Sequence, residues 1–158
     1  MTDAEITAGL NDFQALFLTI WAEARSEPVD GQIAVAWTIR NRVNRPQRFG
    51  ASYRAVCLAR KQFSCWNPGT DANHVRLMEL TRLELGDVAE RSTLRRDPVL
   101  EQVKWIAEGV ISGRVMDNTK QAGHYLTTAL FHSEQAPRWA KGQTPLVTLG
   151  RHVFLKVA

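Results

Sequence analysis

Apolar residues recur at three- and four-residue steps from Leu10 through Phe13, Phe17 and Ile20 to Ala24, which predicts a helix with one face on a core. Asn11 followed by Gln14 reads as a capping box at its start. Pro28 stops it soon after Arg25. Asp30 is placed to cap a second helix, with Ile33, Ala36, Trp37, Arg40 and Val43 on one side and Pro46 beyond its end. A short helix follows Ser52 through Val56 and Leu58, and the stretch Gln62 to Asn73, with Pro68-Gly69 inside it, reads as loop. A further helix is predicted from near Asn73 to about Arg91, weakened at Gly86. Asp97-Pro98 combines an N-cap with proline in the first turn. Val99, Val103, Ile106 and Val110 make the stripe of that helix and Gly113 its end. Beyond Arg114 the helical period is lost, and Gly123 to Leu126 and Val153 to Leu155 read as strands or a hairpin. The pattern predicts a mainly α, α+β fold of about five helices with a short β-hairpin or irregular C-terminal segment.

Length adds that residues 1–158 fit one domain, large enough to bury roughly 68–70% of its unfolded surface. An apolar fraction of 44% and a charged fraction of 23% exclude a disordered tail, a collagen-like chain and a disulfide-dense miniprotein. The longest near-apolar run, Ala15 to Ala22, includes Thr19 and falls short of the roughly 18–20 residues of a membrane span, so no membrane insertion is expected. The acidic start, Met1-Thr-Asp-Ala-Glu5, has no basic region ahead of an apolar core, which reads as cytoplasmic synthesis without a secretory signal.

Charge matters by position. Residues 31–70 contain no Asp or Glu but carry Arg40, Arg42, Arg45, Arg48, Arg54, Arg60 and Lys61. Such a stretch faces an anionic polymer, either nucleic acid or a carboxylate-bearing wall, or is a solvated surface balanced by acids elsewhere. No RNA-binding or zinc-finger signature accompanies it. Cys57 and Cys65 cannot supply a four-ligand zinc site, and their spacing does not establish a disulfide; in the cytoplasm both are expected reduced.

Glu23 lies near the end of the first helix, between Trp21 and Arg25. A carboxyl beside aromatic surface is desolvated, which raises its pKa and lets it hold a proton at neutral pH. The histidines His74, His124, His132 and His152 do not form the i, i+4 pair of a zinc-protease helix. Trp37 and Trp105 fall in helical segments and read as core. Trp66 and Trp139 fall in loop-like segments, where indole rings can stack on sugar faces.

Six short segments, in order, resemble the SleB/CwlJ-type cell-wall hydrolases, the family of spore-cortex-lytic enzymes and related phage endolysins. They are Trp21-Ala-Glu-Ala-Arg25, Gly31-Gln-Ile-Ala-Val-Ala36 leading to Asn41-Arg-Val43, Gln62-Phe-Ser-Cys-Trp66, Gly123-His-Tyr125, Pro137-Arg-Trp139 and Gly150-Arg-His-Val-Phe154. Together they span roughly residues 13–156. The resemblance implies a lysozyme-like, mainly helical fold that cleaves the glycan strand of peptidoglycan, with Glu23 as the catalytic glutamate. It places Gln62, Phe63, His124 and Tyr125 near the cleft, and Trp66, Trp139 and His152 join them as expected substrate-binding residues. The chain departs from the family pattern at Leu126-Thr-Thr and at Arg151 and Leu155.

Glycoside cleavage needs an acid for the leaving oxygen, and a hydrolase ordinarily adds a second carboxylate. Glu27 sits near the helix end, Asp30 is explained as a cap, and the offsets of phage-type lysozymes from Glu23 fall on Gln32 and Thr38. A lytic transglycosylase needs no second carboxylate, because the sugar's own 6-hydroxyl closes a 1,6-anhydromuramyl ring. That mechanism is favoured, with a hydrolytic N-acetylmuramidase using the same Glu23 as the alternative. A Cys65–His124 peptidase, a non-catalytic wall-binding module and a nucleic-acid binder are the remaining readings. No cofactor or metal ligand set is expected, although help from a divalent ion stays open. The expected setting is a monomeric phage endolysin, made in the host cytoplasm and released by a holin to the periplasm or cell wall.

Overall fold

The computed structural model describes residues 1–69, 71–86 and 93–157. Its centre is α2 (Asp12–Ala24), capped by the Asn11–Gln14 box that the sequence predicts. Ala15 through Ala22 are all buried, so the near-apolar run is a helix enclosed on every side. It packs against α3 (Val29–Val43), α5 (Tyr53–Leu58), α6 (His74–Glu84) and α7 (Pro98–Ser112). Burial of this kind, at about 25 cal/mol per Å² of apolar surface, is the main favourable term holding the bundle.

Several local readings hold. Ser52 caps α5, Asp97 caps α7 ahead of Pro98, and Gly113 ends α7 in the left-handed conformation. Val103, Ile106 and Val110 of α7 are buried as expected. The strands β1 (His124–Thr127), β2 (Val147–Leu149) and β3 (His152–Leu155) form an antiparallel sheet in the order β1-β3-β2. The hairpin joins β2 to β3 through Gly150-Arg151, with Leu149 opposite His152. β2 alternates over only three residues, Val147-Thr148-Leu149, too few for a pattern to stand out in the sequence.

Other readings are corrected. Helix α3 starts at Val29 behind Pro28, so Asp30 is no cap; it sits in the first turn, where its charge favours the helix dipole. The expected α3 stripe is only partly right. Ile33, Trp37, Arg40 and Val43 are half-buried, whereas Gln32, Thr38, Asn41 and Arg42 are buried with Ala36. Each of these polar groups has a partner, which is what makes its burial tolerable. Gln32 Nε2 donates to the Ala24 carbonyl at 3.2 Å, Asn41 Nδ2 to Ala122 O at 3.0 Å, and Thr38 Oγ1 to Ala34 O at 2.9 Å. Gln32 and Thr38 are therefore braces between elements and turns. Pro46 lies beyond the end of α3, as expected, and begins a short helix, α4 (Pro46–Phe49).

A six-residue α1 (Asp3–Ala8), with Thr2 and Glu5 as its capping box, lies outside the predicted set; only Ile6 of it is buried, too little to make a stripe. Helix α6 stops at Glu84 before Gly86 at φ +81°, and its expected continuation toward Arg91 reaches residues 87–92, outside the described residues. Trp105 is not core: it points outward at 52% exposure, with Arg114 over its ring. The basic stretch 31–70 is also partly structural. Arg40 donates to the carbonyls of Val110 and Ile111 at the end of α7, and Arg54 reaches Thr7 O. A last short helix, α8 (Thr128–Phe131), follows β1 directly.

Candidate active site

Glu23 occupies the last turn of α2, where the buried helix meets the sheet. Its Oε2 accepts a hydrogen bond from the Tyr125 hydroxyl at 3.1 Å, across 102 residues of chain. Tyr125 comes from β1 and is held against Phe154 of β3, with ring centroids 5.7 Å apart. The expected aromatic neighbour Trp21 points the other way. Its Nε1 donates to Asp97 Oδ2 at 2.9 Å, binding α2 to the cap of α7. The surroundings of Glu23 are instead Tyr125, the Cys65 thiol, Phe63 and the Arg42 guanidinium.

Burial pushes the Glu23 carboxyl above the ordinary glutamate range. Hydrogen bonds from Cys65 and Tyr125 oppose the shift, nearby Asp71 adds to it, and Arg42 pulls against it. A folded-state pKa raised above the unfolded value makes a carboxyl contribute stability below the ordinary glutamate value and lose it as pH rises through the folded pKa. Replacing Glu23 with Gln removes that cost. The melting temperature of Glu23→Gln relative to wild type is therefore expected to rise between about pH 4 and pH 7. Thermal melts across that range check it, and a flat difference would contradict a desolvated carboxyl.

Two recesses meet at Glu23. One, of about 430 Å³, is lined by Glu23, Arg42, Gln62, Phe63, Tyr125 and His152 among others. The second, of about 750 Å³, is lined by Glu23, Ser26, Glu27, Gly150, Arg151 and His152 among others. Glu23, Thr127 and His152 line both, so the two form one groove with Glu23 at its middle.

Arg42 and Glu27 are residues that sequence reasoning passed over as part of this groove. Arg42 is 7% exposed. Its Nε donates to Gly123 O at 2.8 Å and one terminal nitrogen to Gln62 Oε1 at 3.2 Å. Its guanidinium lies over the rings of Phe49 and Phe63, 5.1 and 5.2 Å from their centroids. A cation bonded and stacked in this way keeps its charge in a buried place and sets it near Glu23. Its signal was the Asn41-Arg-Val43 segment, in which an arginine stands on a buried helix face.

Glu27, with its side chain only 3% exposed, sits just past α2. It accepts from the Arg151 backbone N–H at 3.3 Å and lies 2.8 Å from His152 Nδ1. The carboxylate thus fastens the β2–β3 turn to the α2–α3 junction. With Nδ1 turned to Glu27, Nε2 is the His152 nitrogen left to the groove. Burial holds His152 below the ordinary histidine range, against the pull of Glu27.

Of the expected site residues, Gln62, Phe63, Tyr125 and His152 gather with Glu23. His124, Trp139 and Trp66 do not line either recess. Successive strand residues face opposite sides, so Tyr125 enters the groove and His124 leaves it. His124 stacks on Trp139 instead, at 4.5 Å between centroids. Trp66 packs on the core and donates from Nε1 to Thr19 Oγ1 at 3.0 Å. The Cys65–His124 peptidase is contradicted. Cys65 is fully buried beside Glu23, burial pushes its thiol far up, and His124 lies on the other side of β1. Cys57 is likewise a buried free thiol, pushed up to about 12 by burial. Among the described residues no group of three or more His, Cys, Asp or Glu side chains is placed to hold a metal, and no helix is long and apolar enough to cross a membrane.

The fold matches two solved structures. The catalytic domain of the Bacillus cereus SleB protein is similar with a TM-score of 0.60 and 23% identity, over 92% of this chain and 89% of that one. The catalytic domain of a germination-specific lytic transglycosylase, SleB from Bacillus anthracis, is similar with a TM-score of 0.58 and 22% identity, over 94% and 98%. The shared fold is the lysozyme-like α+β type. No curated protein matches the chain. The family model described as Cell Wall Hydrolase matches residues 26–155, beginning just past Glu23 and taking in Arg42, Gln62, Tyr125 and His152. With that match over most of its length, the chain belongs to the cell wall hydrolase family.

Proposed function

We propose that this protein cleaves the glycan strand of peptidoglycan as a lytic transglycosylase, with Glu23 as acid and then base. The observation that carries the reading is the Glu23 carboxyl itself: desolvated, held by Tyr125, and placed at the middle of an open groove. A carboxyl whose pKa burial has raised holds its proton to higher pH than an exposed glutamate and is the better acid partner for a leaving oxygen. In the proposed step the glycosidic oxygen takes the Glu23 proton as its bond to C1 breaks. The resulting carboxylate takes the proton of the sugar's 6-hydroxyl, whose oxygen closes on C1 to give the 1,6-anhydromuramyl end. Arg42 and the Tyr125 hydroxyl stabilise the carboxylate between the two transfers. The relative from Bacillus anthracis is itself described as a lytic transglycosylase, which supports this class.

One observation favours a second reading, a hydrolytic N-acetylmuramidase with the same acid. The Glu27–His152 pair offers a ring nitrogen that can take a proton from water, the role a second carboxylate ordinarily plays. Product ends separate the two. Digestion of purified sacculi followed by mass spectrometry is expected to give muropeptides ending in anhydro-muramic acid. Reducing ends would establish the muramidase, and new free amines without glycan cuts would overturn both.

The setting proposed for this activity is that of a phage endolysin, a monomeric catalytic domain made in the host cytoplasm and admitted to the wall by a holin. The resemblance to endolysins of the family supports it.

A further inference from the structure

The residues that the groove leaves unused collect on the opposite side of β1. His124 is stacked on Trp139 at 4.5 Å with a tilt of 37°, and Phe49 meets His124 edge-on at 6.0 Å. Trp139 is 39% exposed, with the His124 ring stacked against its indole. Arg48 lies over the Phe49 ring at 5.2 Å, and Arg45 runs past Gly123, the residue before His124. Burial, with Arg42, Arg48 and Arg45 close by, holds His124 down to about 4, so it is a neutral ring at any ordinary working pH. The result is an exposed indole stacked on an imidazole, with cationic flanks. Arg42 connects it to the groove, since its guanidinium touches Phe49 on this side and Phe63 on the other.

We propose that this surface is a second wall-binding subsite, in which Trp139, backed by His124, takes the face of a sugar ring while Arg45 and Arg48 take carboxylates carried on the same strand. The C–H face of a sugar packs on the negative face of an aromatic ring, and an indole held from behind by His124 presents its outer face at little cost in side-chain entropy. Arginine pairs with carboxylates through fixed, directional donors. The ligand class that satisfies both halves is a glycan unit with its acidic peptide stem. The inference rests on the glycan reading above, and it explains why His124 and Trp139 stand apart from Glu23.

The test is binding rather than turnover, with Glu23→Gln as the background so that sacculi stay intact. Adding Trp139→Ala is expected to weaken retention on purified sacculi about tenfold, with Trp139→Tyr restoring most of it. Adding Arg45→Gln and Arg48→Gln is expected to weaken it and to flatten its dependence on salt. Sacculi stripped of their stems by an amidase are expected to bind the arginine-bearing protein as weakly as native sacculi bind the arginine-less one. Unchanged binding by Trp139→Ala overturns the subsite. Equal binding to stripped and native sacculi overturns the carboxylate half. Displacement from sacculi by DNA at equal charge assigns the surface to nucleic acid instead. None of these outcomes touches the Glu23 reading, which fails separately if the wild type releases no muropeptides.

Discussion

Glu23→Gln is expected to lose about 10²–10⁴-fold of muropeptide release from sacculi while keeping the fold. Gln is nearly isosteric, and its carbonyl oxygen can still accept from the Tyr125 hydroxyl that sits 3.1 Å from Oε2. What it lacks is the proton. The loss should therefore appear in the rate at saturating substrate and leave retention on the wall nearly unchanged. The melting temperature at neutral pH should not fall, because a desolvated ionisable group has been removed. A fall in stability together with activity would mean that Glu23 is a structural anchor. A loss of less than about tenfold would place the acid elsewhere.

The second large effect is on stability. Trp21→Ala is expected to cost about 3–5 kcal/mol, seen as a drop of roughly 6–20 °C in the thermal midpoint. Trp21 is 1% exposed, and its removal opens a cavity between the C-terminal half of α2 and the start of α7. It also strips Asp97 Oδ2 of its donor, while Oδ1 of the same carboxylate caps Val99 N at 2.9 Å. One side chain thus supports both the packing of α2 and the start of α7. Trp21→Phe keeps most of the volume and loses the hydrogen bond, so it should cost about 1–3 kcal/mol. Equal costs for the two substitutions would show that the bond to Asp97, and not the cavity, dominates.

How far the sequence reveals this molecule depends on the range of the forces involved. Caps and breakers act within a few residues, so the box at Asn11, the Asp97-Pro98 start and the Gly113 stop are legible from local chemistry. The stripe on α3 is misleading because burial there is set by several neighbours at once. With α2, α5, α7 and the sheet around it, polar Gln32, Asn41 and Arg42 are buried and bonded, while Trp37 is left half-covered. Periodicity records preference for water, not the position of a partner 80 residues away.

Glu23 stands out in the chain only as a glutamate near aromatic residues, and the aromatic residue that matters, Tyr125, is distant in sequence. Family likeness bridges that distance for Gln62, Phe63, Tyr125 and His152. It also gathers His124 and Trp139 into the same expectation, and strand alternation then sends His124 to the far side of β1, where Trp139 stacks on it. Glu27 is the opposite case. It is close to Glu23 in the chain, yet its grip on a hairpin 124 residues later has no local signature.

That grip leaves no room at the hairpin tip. Gly150 stands at φ +57°, and a β-carbon there would meet Glu27 Oε2 at 2.8 Å and Pro28 Cδ at 3.2 Å. Any larger residue would have to dislodge the buried carboxylate or prise the tip away from the start of α3. One position later the constraint is gone: the Arg151 side chain is 73% exposed, lines the larger recess and reaches Ser26 Oγ at 2.9 Å, so a different side chain there would change the rim without moving its backbone. The tip is the fixed hinge pin of the rim, and its neighbour is the place where diversity can accumulate.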